Sequence, residues 1–323
     1  MKANTLYNRR GRFPGIQSNI ERKFVFDGGL QWDLRRHDQL TTMCRLTLFT
    51  HPGPHMKPHP ILISPGKKCR LSEIPTSQTT EGFDKKSAKT QIKKNAVVMA
   101  DLARRLYASR QRAVLLVLQG MDTSGKDGTI RAIMRGMNPQ SCQVVSFKAP
   151  SQVELDHDYL WRVHAATPRK GNIGIFNRSH YEDVLIVRVH EMVPKSVWSQ
   201  RYEQINTWEQ TLAENGTIIV KCFLHISNEE QRIRLQDRID NPDENWKFNP
   251  RDLEERKLWP QYQEAYEDAI TKCNTKHAPW HIIPSDVEWN RNLIVSQLLR
   301  EKLEGLDPQW PASTEDFRGM VVE

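Results

Sequence analysis

Residues 113 to 120 read AVLLVLQG, an apolar run without polar alternation that ends in a glycine. A strand with one face in water alternates apolar and polar side chains; a strand buried on both faces does not. The run passes directly into MDTSGKDGTIRAIM, a glycine-bearing loop followed by residues of helical type. Four more strand-like runs follow at CQVVSFKA (142–149), NIGIFN (172–177), TIIVKCFLHI (217–226) and PWHIIP (279–284). Helical patterns separate them: 151–167, opened by a Ser151/Glu154 capping box; about 179–190; 195–214, closed by Gly216; from a Ser227/Glu230 box to about Ile239; 251–273; and, after the last strand, 289–304. Strands that alternate with helices require crossover connections, so the chain is expected to form an α/β fold with a five-stranded parallel sheet flanked by helices.

The regular pattern begins only near residue 84. Ile92, Met99, Leu102 and Leu106 share one face of a helix expected over 86–108. Upstream, HPGPHMKPHPILISPGKK carries five prolines, which exclude regular helix. Residues 1–82 are therefore expected to be an irregular or disordered extension, with Met56 a candidate true start and residues 1–55 dispensable. The folded domain is expected over 83–306 and a short tail over 307–323.

Composition narrows the class. Of the 323 residues 38% are hydrophobic and 27% charged, as in a globular protein. No apolar run approaches the roughly 20 residues that cross a bilayer, and the basic start lacks the apolar core of a secretory signal. Five scattered cysteines without a C-x-x-C pair fit a reducing cytoplasm and no zinc site. The net charge of +8 is unevenly spread: Lys85 to Arg112 contains nine basic residues and one acid, Asp101. Such a stretch is either a solvated helix face or a surface for a polyanion.

Three clusters carry chemistry. In the loop after the first strand, Gly120, Gly125 and Lys126 match the spacing G-x-x-x-x-G-K-[ST], in which backbone N–H groups and the lysine hold phosphates. The last position departs from that pattern, being Asp127 rather than a hydroxyl residue, and Asp122 adds a second acid. Asp127 is open to two readings, a metal ligand or an acid favoured by the positive end of the helix dipole. Two acids beside phosphates point to a metal-bearing site for a very anionic substrate. The second cluster, FNRSHYED, ends the third strand, where an open parallel sheet binds its ligands. Arg178, Glu182 and Asp183 are expected near the phosphate loop, Asn177 stands where an Asp is usual, and His180 and Tyr181 are expected to pack. In the third cluster, EEQRIRLQDRIDNPDENWKFNP, Arg234 and Arg238 share a helix face and Lys247 follows in a broken segment. This suits a closing lid at about 231–255, or an exposed helix paired with Glu229, Glu230 and Asp237.

GMDTSGKDGT, FNRSHYEDVL, EEQRIRLQDRIDNPDENWKF and the pattern of Trp259, Tyr262 and Ala265 to Ile270 together resemble the family 2 polyphosphate kinases over about residues 82–305. The resemblance implies a P-loop kinase fold similar to thymidylate kinase, with a helical lid, and phosphoryl transfer between inorganic polyphosphate and nucleotides with Mg²⁺. It implies metal ligation by Asp122 and Asp127, phosphate binding by Gly120, Gly125 and Lys126, stabilisation of the transferred group by Arg178, and lid cations at Arg234, Arg238 and Lys247. Glu182 resembles the branch that accepts AMP as well as ADP, and is placed with Asp122, Lys126 and Arg178 among the catalytic residues. The implied partners are polyphosphate and adenine nucleotides, with neither nucleic acid nor membrane, in a cytoplasmic homo-oligomer. The competing readings are an ATP-dependent nucleotide kinase and a non-enzymatic basic polyanion-binding protein.

Overall fold

The computed structural model describes residues 58–322. Residues 1–55, expected to be dispensable, lie outside the described residues.

The described chain runs β1 (Ile61–Leu62), α1 (Lys85–Ser109), β2 (Ala113–Gln119), α2 (Lys126–Ile133), β3 (Cys142–Ser146), α3 (Gln152–Leu155), α4 (Trp161–Ala165), β4 (Ile173–Asn177), α5 (Ile186–Val189), α6 (Lys195–Trp198), α7 (Arg201–Glu214), β5 (Thr217–His225), α8 (Asn228–Asp240), α9 (Arg251–Lys257), α10 (Trp259–Lys272), β6 (Trp280–Pro284) and α11 (Glu288–Leu306). The sheet order is β1-β6-β5-β2-β4-β3. β2, buried along its whole length, is the central strand and pairs in parallel with β4 on one side and β5 on the other. The chain therefore winds outward from β2 in both directions, and the carboxyl end of β2 is the crevice where such a sheet binds ligands.

The sheet has six strands, not five. The sixth is β1, which pairs antiparallel with β6 through Ile61↔Ile282 and Leu62↔His281. Only an edge position tolerates a strand this close to prolines, because an edge leaves half the backbone groups unpaired. The segment after it docks by side chains: Cys69 and Leu71 are buried, Leu71 N donates to Glu267 Oε1 at 2.7 Å, and Thr76 Oγ1 donates to Asp286 Oδ2 at 2.6 Å.

Four expected helices are broken. The 151–167 stretch splits into α3 and α4, and the 195–214 stretch into α6 and α7. The 179–190 stretch becomes a 3₁₀ turn (His180–Val184) and then α5, divided at Leu185. The 251–273 stretch divides at Leu258, two residues before Pro260, whose missing N–H cannot extend α9. One apolar cluster fills each side of the sheet. α1, α2 and α11 cover one face through Met99, Leu106, Ile133 and Leu299; α7 and α10 cover the other through Ile205, Trp208, Tyr266 and Ile270.

Candidate active site

The loop between β2 and α2 turns on residues with positive φ. Gly120 has φ 152°, and a Cβ there would lie 2.7 Å from both Leu224 O and Ser124 Oγ. Gly125, φ 97°, caps α2, and a Cβ there would lie 2.1 Å from the Arg291 guanidinium. Only glycine fits either position. Thr123 sits in the left-handed region at φ 62°, and Ser124 N closes the loop onto Met121 O at 3.1 Å. The hydroxyl oxygens of Thr123 and Ser124 are buried and bond to nothing within the described residues.

Lys126 lies at the first helical position and is buried. Its Nζ crosses the loop to donate to Gly120 O at 2.8 Å and Met121 O at 3.2 Å. Burial pushes its pKa down to about 8 and Arg178 adds to the fall, while Asp122, Glu182 and Asp127 act in the opposite direction.

β4 delivers the second cluster. Arg178 leaves the strand in the left-handed region at φ 63°, with its N–H bonded to Leu118 O. A non-glycine residue there costs about 1 kcal/mol, which the surrounding bonds must offset. The kink turns the guanidinium back over the loop, where Nη2 donates to Asp122 Oδ1 at 2.7 Å. Burial would lower the pKa of Arg178, but Glu182 and Asp122 outweigh it and hold the charge firmly. One residue earlier, Asn177 Nδ2 donates to Asp127 Oδ1 at 2.7 Å.

Glu182 sits on the 3₁₀ turn. The Gln119 amide fits best with its carbonyl accepting from Ser179 N at 3.1 Å and its nitrogen donating to Glu182 Oε1 at 3.2 Å. Burial raises the pKa of Glu182, against the pull of Arg178 and Lys126. Asp183, expected near the loop, faces elsewhere and accepts from Arg201 Nη1 at 3.0 Å. His180 and Tyr181 are fully buried, as their packing role requires. Beneath them Lys221 Nζ donates to Glu209 Oε2 (2.6 Å), Tyr181 OH (2.8 Å) and Cys273 O (2.7 Å). Burial alone would push the Glu209 carboxyl up, but Lys221 and His180 hold it below the usual range. Every donor of that ammonium has an acceptor, which is the condition for burying an ion pair without a net penalty.

Two cavities meet at Arg178 and Phe147. One, of about 790 Å³, runs along the loop and is lined by Lys126, Arg131, Lys148, Arg178, Arg238 and Lys247, with Asp122 and Asp127 among them. The other, of about 480 Å³, is mostly apolar, with Phe147, Leu155, Tyr159, Ile186, Val187 and Met192 around Glu182 and Arg201. Arg238 and Lys247 thus line the groove, while Arg234 does not. Its Nε donates to Glu230 Oε1, Nη1 to Thr123 O, and Nη2 to Ser285 O and Asp286 O. Arg131, Lys148, Gln231 and Arg291 escaped the sequence reading. Arg291 stands 167 positions from the carbonyl it contacts, Ser124 O, and carries no local motif.

Among the described residues no group of three or more His, Cys, Asp or Glu converges on a common point. Asp122 and Asp127 nevertheless fit Mg²⁺, which is usually held by one or two carboxylates, waters and substrate phosphates rather than by a protein cage.

A strand–loop–helix with its lysine across the loop, an arginine turned back over it and a cation-lined groove beyond define a phosphotransferase of the P-loop kinase class. The family described as polyphosphate kinase 2 matches residues 82–311, and the chain belongs to it. A relative from Meiothermus ruber, named AMP/ADP-polyphosphate phosphotransferase, is 55% identical over 218 residues, covering 68% of this chain and 82% of its own. A second, the ADP-polyphosphate phosphotransferase of Rhodopseudomonas palustris, is 45% identical over 273 residues, covering 81% and 94%. The crystal structure of polyphosphate kinase 2 from Arthrobacter aurescens TC1 superposes with a TM-score of 0.75 at 37% identity, covering 79% of this chain and 95% of that one. Among the described residues no helix is long and apolar enough to cross a membrane.

Proposed function

We propose that this enzyme transfers a phosphoryl group from inorganic polyphosphate to AMP or ADP, yielding ADP or ATP. The observation that carries the reading is the meeting of the cation-lined groove and the apolar cavity at Arg178. A polyphosphate chain offers only charge and suits the groove. A nucleotide offers a flat base and a charged end, and suits the apolar cavity with its phosphate toward Arg178.

In the reaction the bridging P–O bond of the terminal donor phosphate breaks and a bond to an acceptor phosphate oxygen forms. Loop N–H groups and Lys126 hold the donor; Arg178 lies where charge develops on the transferred group. The acceptor is already an anion, so no strong general base is needed. Asp122 and Asp127 would hold Mg²⁺, which supplies charge neutralisation between the phosphates when bound. Arg238 and Lys247, in the segment at about 231–255, act as lid cations that close over the donor and exclude water. The names of the relatives from Meiothermus ruber and Rhodopseudomonas palustris support the same substrates.

The test is direct. AMP and polyphosphate, incubated with the enzyme and Mg²⁺ but no ATP, should give ADP and then ATP. Absence of product there, with product from ATP and AMP, would make it an ordinary nucleotide kinase. Binding without turnover under either condition would make it a polyanion-binding protein.

A further inference from the structure

Three successive carbonyls of the phosphate loop are each held from outside by a long side chain. Gln231 Nε2 donates to Asp122 O at 3.1 Å, Arg234 Nη1 to Thr123 O at 2.9 Å, and Arg291 Nη1 to Ser124 O at 3.2 Å. The donors come from α8 and from α11. A peptide is planar, so a carbonyl pinned outward sends the N–H of the next residue to the opposite side. The N–H of Ser124 is taken by Met121 O, while Thr123 and Gly125 line the cation-rich groove. Fixing the carbonyls of Asp122 and Ser124 therefore aims the N–H groups of Thr123 and Gly125 at that groove.

Arg234 is suited to this and to little else. Its guanidinium has four acceptors in Glu230, Thr123, Ser285 and Asp286, so it joins the loop to the turn after β6. The carbonyl it holds belongs to Thr123, a β-branched residue in the left-handed region at φ 62°. That conformation needs an outside restraint to persist. Gln231 is buried, and its Oε1 accepts from Arg256 Nη1 at 3.0 Å, which ties α9 to the loop through one amide. Arg291 is also buried and packs on Gly125.

We infer that Gln231, Arg234 and Arg291 are positioning residues that preset the phosphate loop for a chain of phosphates, and that Gln231 and Arg234 link the lid-bearing helix to the loop. None of the three touches substrate. The inference rests on the proposed seating of the polyphosphate donor over the loop.

The experiment measures binding of inorganic tripolyphosphate by calorimetry across a salt series, with melting curves and steady-state kinetics for each variant. Arg234→Gln and Gln231→Leu should each weaken binding about tenfold, as expected when a fixed array of donors loses its aim. Their dependence on salt should match the wild type, and Arg234→Lys should fall between Arg234→Gln and the wild type. Arg238→Gln, which removes a groove cation, should instead lower the salt slope by about one. A slope reduced as much in Arg234→Gln as in Arg238→Gln would show that Arg234 meets phosphate and would overturn the inference. So would full-strength binding by Gln231→Leu, a neutral change that leaves the charges in place and decides the matter if Arg234→Gln fails to fold. Failure of the functional reading is separate: the wild type itself would then not make ADP from AMP and polyphosphate.

Discussion

Asn177 Nδ2 donates to Asp127 Oδ1 at 2.7 Å, and this bond joins the two positions at which the sequence leaves the usual phosphate-loop pattern. The usual arrangement sets a hydroxyl on the loop against a carboxylate on the strand. Here the carboxylate is on the loop and the neutral amide is on the strand, so the pair keeps one negative charge. The two departures compensate each other.

Asn177→Asp alone should therefore place two carboxylates at hydrogen-bond distance. One must take up a proton or move away, and kcat/KM at neutral pH should fall about tenfold or more. Combining it with Asp127→Ser restores a single charge in the inverse arrangement and should recover part of the loss. A double variant no better than the worse single variant would show that the two side chains act independently.

Lys126→Ala should lower turnover by ~10²-fold or more, because a charge aimed at the transferring phosphate is removed. The wild type should show the same dependence through pH. Burial holds the ammonium down at about 8 in the free enzyme, so the charge is present below that pH and lost above it. kcat/KM should fall as pH rises through about 8, and the fall should begin at lower pH in Asp122→Asn, because Asp122 props the lysine up. A flat profile through that range would remove Lys126 from the charge-bearing role.

Glu182 should decide whether AMP is accepted. It lies beside Arg178 at the mouth of the apolar cavity, and Gln119 orients it. The phosphate of AMP stops one unit short of where ADP's terminal phosphate reaches. A carboxylate can hold the shorter substrate in line through a metal or an ordered water. Glu182→Asn is neutral and one methylene shorter, so kcat/KM for AMP should drop about tenfold more than that for ADP. Equal losses for both acceptors would make Glu182 a general catalytic or structural group.

The amino-terminal half of α1 should bear on polyphosphate rather than nucleotide. Lys85, Lys86, Lys89 and Lys93 are all exposed. Replacing the four with Gln should raise KM for long polyphosphate and flatten its salt dependence, leaving KM for AMP unchanged. Unaltered polyphosphate kinetics would return this face to simple solvation.

Asp183 gives a stability prediction with a definite sign. Burial raises its pKa from 3.8 to about 6, although Arg201 pulls the other way. A carboxyl raised on folding favours the protonated fold, so its contribution is complete below about pH 4 and lost as pH rises through about 6. Asp183→Asn stays neutral and keeps an acceptor for Arg201. It should melt a few degrees above the wild type at pH 7, on the order of 2 kcal/mol, and equal to it near pH 4. A lower melting point at pH 7 would mean that the Arg201 ion pair outweighs burial.

The sequence by itself determined the five parallel strands and the place of the phosphate loop. Both depend on local pattern: unbroken apolar runs for strands buried on two faces, and glycines at the two positions where a Cβ would strike Leu224 O or Arg291. It also brought Arg178 and Glu182 to the site, because the carboxyl ends of the five parallel strands share one edge. Tertiary structure decided the rest. Arg234 and Arg238 share one helix face, yet Arg238 lines the groove and Arg234 is consumed by three backbone carbonyls and Glu230. Gln231 and Arg234 of α8 bond to the loop, and Arg234 also to the turn after β6, while Arg238 one turn on lines the groove, and helical spacing cannot report that difference. β1 was hidden because a two-residue edge strand needs no period, only β6 beside it. Arg291 was hidden because its partners lie far away in sequence, and a bond of that span exists only once α11 and α2 have packed against the same face of the sheet.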